Sequence, residues 1–220
     1  MNGDHLRTSS LRIVILGGGL ITAAAVSSLP VNAATIIDEW KSIDAPNAPV
    51  LKPGSLDTKT TALLMLDIQT TNCNQKRRPR CVAGLPKVVG LLNKARSRGV
   101  AVVYSLTSRG TQEHIRKEVA PQAGEPYVKA SVNKFYKTDL EKILRAKNIQ
   151  TVILVGTSAE GAVMNTATAA AARKFKIVVP VDGMSSSNTY GEQYTTYHLA
   201  KGPGVRRRTT LTSINQISFK

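Results

Sequence analysis

Three short stretches of this 220-residue chain carry residue types suited to small-molecule chemistry. The first holds Asp67, which directly follows the apolar run Ala-Leu-Leu-Met-Leu at 62–66, with Gln69 two residues on as a candidate substrate-binding group. A carboxylate at the end of a buried strand has low-dielectric walls around it, so its protonation can be tuned for acid or base work. The same position also suits a helix N-cap or a salt-bridged loop residue. The second is Lys129, in the extended piece Glu-Pro-Tyr-Val-Lys ahead of a helix; a lone lysine is otherwise a solvated charge. The third is Gly-Thr-Ser-Ala-Glu-Gly-Ala-Val at 156–163. Small residues let the chain turn sharply from strand to helix and present free amides, which can hold an oxyanion or a carboxylate. A plain βα turn has the same composition.

The elements that must position these residues follow from periodicity. Residues 62–66, 100–104, 151–155 and 177–181 are short apolar runs bounded by polar residues, the pattern of buried parallel strands. Between them lie helical spacings at 85–98, closed by Gly99, and at 138–147, where Thr138 and Glu141 have capping-box spacing. A small-residue helix over 161–174 and a last helix over 192–201 complete the set, and the tail 206–214 alternates as an edge strand does. Strands alternating with helices predict an α/β fold: a doubly wound, mostly parallel sheet with helices on both faces. Ligands in such sheets bind beyond the carboxyl ends of the strands, here marked by Asp67, Ser105 with Thr107, the 156 turn and Asp182.

Together the three stretches resemble the isochorismatase-like hydrolases, the superfamily of nicotinamidases, carbamoylsarcosine amidohydrolases and isochorismatases. LLMLDIQ is similar to the first-strand motif that ends in the family's catalytic Asp, placing it at Asp67. VKASVNKFYKTDLEKIL is similar to the stretch holding the family's catalytic Lys, placing it at Lys129. VILVGTSAEGAVMNTATAAAARKFKIVVPVDGMSS is similar to the nucleophile segment. The resemblance spans roughly residues 61–201 and implies a three-layer α/β/α domain that commonly forms homo-oligomers. It also exposes a departure: where most of the family carries its cysteine nucleophile, this chain has Ala162. A methyl group cannot attack a carbonyl, so the acyl-enzyme route is closed at this position. Isochorismatases proper also lack the cysteine and use the Asp as a general acid on a vinyl ether. The resemblance therefore implies Asp67 as acid, Lys129 as its electrostatic partner, and the amides of Ser158 and Ala162 as oxyanion donors. It further implies a non-proline cis peptide at Thr157-Ser158. Glu160 brings a carboxylate into the same turn, as a second acid or base, a water-positioning group, or a favourable charge at a helix start.

Bulk properties set the remaining bounds. Thirty Lys and Arg against 14 Asp and Glu give a net charge of +16, which suits a small anionic substrate or an anionic envelope surface. Nucleic acid fits poorly: no binding motif is apparent and aromatics make up 5%. Arg7 and Arg12, the apolar run 13–25 and Val31-Asn32-Ala33 read as a cleaved secretory signal over 1–33. The alternative is an uncleaved anchor, but the run is short of a bilayer span and broken by glycines, so no stable membrane insertion is expected after cleavage. Its loss removes two arginines and one aspartate, so the basicity belongs to the folded part. An arm over 34–60, anchored by Trp40, then leads into a domain over 61–220. In a periplasmic or secreted protein the two cysteines, Cys73 and Cys81, most simply close a disulfide. The segment YSLTSRG and the isolated His114 do not assemble a metal site, and no cofactor is expected. The ring holds Lys76, Arg77, Arg78 and Arg80, and Arg206, Arg207 and Arg208 form a second basic cluster. Each is either a lure for anions at a pocket mouth or a solvated patch.

Overall fold

A computed structural model describes residues 33–220; the signal-peptide reading lies outside the described residues. They fall into two compact units, one ending at Ala45 and one spanning Pro46–Lys220. In the first, Trp40 is 58% exposed.

The second unit is built on a parallel sheet. Its strands are β2 (Thr61–Leu66), β3 (Ala101–Leu106), β4 (Tyr127–Lys129), β5 (Thr151–Thr157), β6 (Lys176–Pro180), β7 (Met184–Ser185) and β8 (Thr209–Thr212). The order is β4-β3-β2-β5-β6-β8, with β7 pairing the end of β5 beyond β6. A separate pair joins β1 (Gly54–Leu56) to β9 (Ile217–Phe219), also in parallel. Every residue of β2 is buried, as the unbroken apolar run requires of a central strand covered on both faces.

Strand periodicity distributes that run between two cores. Ala62, Leu64 and Leu66 face one core with Val152, Leu154, Leu144, Ala170 and Leu199; Leu63 and Met65 face the other with Val102, Ile153, Leu85 and Leu92. Helix α1 (Pro79–Ser97) covers the second face, and α2 (Leu140–Ala146), α3 (Met164–Ala172) and α4 (Thr189–Lys201) supply the first. The doubly wound expectation holds.

Local details differ from the sequence reading where chemistry competes. α1 starts six residues earlier than its apolar spacing suggests, because Pro79 sits at the first helical position, where its missing N–H costs nothing. Gly99 ends the helix as expected, with Gly99 N donating to Arg96 O and Val100 N to Ala95 O. The capping box at α2 does not form. Asp139 is the N-cap residue, Thr138 Oγ1 donates to Lys134 O, and Glu141 pairs with Arg145 and Arg173.

Candidate functional site

The sheet reverses winding direction between β2 and β5, which are adjacent in space while their successors lie on opposite sides. That switch point is where a doubly wound sheet opens a crevice. Leu66 pairs with Gly156, so Asp67 and Thr157 leave the sheet side by side. The approach is close: a Cβ on Gly156 would lie 2.0 Å from Leu66 O, and Gly156 sits at φ +136°. Only glycine fits there.

Asp67 lies just past the strand at φ +51° and is 4% exposed. Its carboxylate accepts from Ser105 Oγ at 2.7 Å and meets Lys134 Nζ at 2.7 Å. Lys134 is 0% exposed; its ammonium also donates to Ser131 O at 2.6 Å and Ala130 O at 3.0 Å. The lysine that joins Asp67 is thus Lys134, not Lys129. Strand alternation explains the difference. In β4 Val128 points inward while Tyr127 and Lys129 are exposed. Five residues on, the chain folds back, and Lys134 N donates to Thr166 Oγ1 of α3. No apolar period marks Lys134 as buried, so the sequence carries no local signal for it.

Burial pushes the Asp67 carboxyl up and the Lys134 ammonium down, against the pull of each on the other. Both directions favour moving a proton between them over holding two isolated charges in low dielectric.

The third stretch folds as a π-helical turn, Ala159–Val163, running into α3. Such turns widen a helix locally and recur at functional sites. Thr157-Ser158 is a cis peptide, as the resemblance implied. Ala162 is buried in the turn, and Gly161 packs against Ser158 and Val132, so the loop carrying Lys134 lies on the turn. Gln69 is buried and accepts from Thr107 N, with its amide against Gly110. It braces the loop after β3.

Three polar groups gather beside the pair. Glu160 Oε2 and Ser186 Oγ are buried, lack a protein hydrogen-bond partner, and lie 3.0 and 2.6 Å from where a Cβ on Gly191 would stand. Arg78 is half-buried, its Nε also has no partner, and its charge interacts with both Asp67 and Glu160. Desolvation lowers its affinity for the proton. Ser186 arrives because β7 continues the sheet after β6 ends, with Thr157 Oγ1 donating to Ser185 O. Ser186 lies beyond the apolar strand runs, in a stretch of three serines that carries no signal of its own.

Of the remaining basic loop, Lys76 and Arg77 are exposed and Arg80 forms a two-pronged pair with Glu192. Asp182 is occupied by Lys87 and Ile214 N. Cys73 and Cys81 are disulfide-bonded with Cα atoms 5.3 Å apart. These are the chain's two cysteines.

A profile of the isochorismatase domain matches residues 61–210. A secreted isochorismatase effector of Verticillium dahliae, Isc1, is 26% identical over 151 residues, covering 63% of this chain and 80% of that protein. An isochorismatase-like hydrolase from Alkaliphilus metalliredigens superposes with a TM-score of 0.65 at 23% identity, covering 71% of this chain and 95% of that structure. An N-carbamoylsarcosine amidase from Thermoplasma acidophilum gives a TM-score of 0.61 at 22% identity, covering 71% and 97%.

Proposed function

Since the chain belongs to the isochorismatase family, we propose that it is an exported hydrolase that works without a covalent acyl-enzyme intermediate, with Asp67 as its general acid–base. The supporting observation is the buried contact of Asp67 with Lys134 and Ser105 at the switch point, in a chain whose cysteines are bonded to each other. A carboxyl raised by burial holds its proton at higher pH than an exposed aspartate, the requirement for donating it to a leaving oxygen or an enol-ether carbon. Lys134 offsets the carboxylate charge that this donation leaves behind, and water completes the hydrolysis. The substrate in this reading is a small anion drawn by the basic surface. Export accords with the disulfide, the secreted relative, and the absence among the described residues of any helix long and apolar enough to cross a membrane.

Ala162 and the near-complete burial of Asp67 favour a second reading, a ligand-binding protein that has kept the fold without turnover. Turnover of isochorismate-like enol ethers and small amides separates the two. The hydrolase reading expects enol-ether cleavage by wild type and its loss in Asp67→Asn. Activity unchanged in Asp67→Asn removes the assigned acid, and no turnover of either substrate class by wild type favours the binding reading.

A further inference from the structure

The second basic cluster, Arg206–Arg208, has no part in the chemistry assigned to Asp67. It forms a short 3-10 turn leading into β8, at the other end of the sheet from the switch point. There the strands begin side by side, with Thr151 of β5 paired to Lys176 of β6 and Ile177 paired to Thr209 of β8. Together with the end of β1 they enclose an open cleft of about 1090 Å³. A pocket for one small molecule holds roughly 300–1,000 Å³, so this one has room for a segment of a longer chain. The seven residues of β5, at about 3.3 Å each, put roughly 20 Å between the cleft and the turn beside Asp67.

The cleft is unbalanced in charge. Lys176, Arg206, Arg207 and Arg208 are in its lining, and none of them forms an ion pair among the described residues. The one acidic side chain in the lining, Asp57, accepts instead from the amides of Lys59 at 2.7 Å and Thr60 at 3.2 Å. Arg208 Nη1 donates to Lys174 O at 2.7 Å, which fixes its guanidinium, while Lys176, Arg206 and Arg207 are exposed. Like charges gathered without counter-charges repel, and an anion with several charges relieves that repulsion. The neutral part of the lining narrows the class. Gln150, Thr151 and Thr210 bring amide and hydroxyl groups, which both donate and accept. Among the described residues no aromatic side chain lines the cleft, so it lacks the stacking surface that holds single-stranded nucleic acid. A concave site does not match a flat bilayer, and a second copy of a chain with net charge +16 is repelled. We propose that this cleft binds a segment of an acidic polysaccharide, its sugar carboxylates meeting Lys176 and Arg206–Arg208 and its hydroxyls meeting the neutral groups. The polymer is held a full strand length away from Asp67, so the proposal stands apart from the hydrolase reading.

The test is calorimetric titration of the full chain at about 0.15 M ionic strength, where distant surface charges are screened. The ligands are an oligogalacturonate, its methyl-esterified form, and an oligoglutamate of equal charge. The oligogalacturonate is expected to bind, the esterified form not to bind, and the oligoglutamate to bind more weakly. Arg206→Gln with Arg207→Gln is expected to weaken oligogalacturonate binding about five- to twentyfold, the scale of two solvated ion pairs. Lys76→Gln with Arg77→Gln removes the same charge from the loop after β2 and is expected to change it by less than about twofold. No binding of the oligogalacturonate, equal binding of the esterified form, or equal weakening by the two double variants overturns the proposal. Tighter binding of the oligoglutamate also overturns it and assigns the cleft to an acidic peptide. All four substituted side chains are exposed, and the comparison of ligands on wild type holds whether or not a variant folds.

Discussion

Replacing Lys134 by methionine removes an ammonium with no exposed surface while keeping most of the side-chain volume. The variant leaves the Asp67 carboxylate buried beside Ser105 alone and strips the donor from Ser131 O and Ala130 O. Breaking a buried ion pair from one side costs about 3–5 kcal/mol, much of it the penalty of the stranded charge. For a domain of this size each kcal/mol moves the midpoint by about 2–4 °C, so Lys134→Met is expected to lower Tm by roughly 6–20 °C. Asp67→Asn strands the ammonium instead and falls in the same range. The double variant removes both charges and is expected to cost less than the sum of the singles by about 1–3 kcal/mol. Lys129→Met, on the exposed side of β4, is expected to stay within about 0.5 kcal/mol of wild type. Unfolding followed by far-ultraviolet circular dichroism without reductant measures all four. Equal losses in Lys129→Met and Lys134→Met would refute the assignment of Lys134, and additive single variants would deny that the two groups interact.

Other consequences are testable in the same way. Because burial raises Asp67, its protonated fraction falls as pH rises through a value above 3.8; enol-ether kcat/KM is expected to fall over that range, and a limb at the ordinary aspartate value would contradict the acid assignment. The linkage has the same sign: above pH 3.8 the folded state holds this proton more tightly than the unfolded chain, so the contribution of Asp67 to stability is lost as pH rises through the folded value. Ala162→Cys places a thiol in the π-helical turn and is expected to create measurable hydrolysis of small amides; none at all would mean the remaining geometry does not support acyl transfer. Thiol titration of the unreduced protein should find no free cysteine, and Cys73→Ser with Cys81→Ser should lower stability by about 2–3 kcal/mol, the loop-entropy scale of so short a ring. Gly156→Ala, forced against Leu66 O, should cost several kcal/mol in the same unfolding assay, of the order of overpacking and backbone strain combined.

The architecture was legible because it rests on burial that the sequence writes in one dimension: the run 62–66 is apolar at every position, and its two faces meet two cores. Asp67 and the 156–163 turn were legible for a related reason, since the end of a buried strand is a defined place. Lys134 was not. Its burial depends on a loop that folds back onto α3 through Thr166, a contact 32 residues away in sequence. Lys129 has the more suggestive position, immediately after Val128, but the strand's two-residue alternation turns it outward. Arg78 stands in a run of five basic and proline residues, 76–80, and nothing local separates it from Arg77, which is exposed. Thr138 and Glu141 had the right spacing for a cap yet found other partners, Lys134 O for one and Arg173 for the other.

The small sheet of β1 and β9 lies outside the stretch matched by the family profile, and its polarity has a mechanical meaning. The two strands run in the same direction, and Lys220 extends the ladder, its N donating to Leu56 O and its O accepting from Thr58 N. Tension between the segment before Gly54 and the end of the chain therefore pulls the strands along their length in opposite senses. Every rung is then loaded at once in shear, instead of opening one after another as in a hairpin pulled at its free ends.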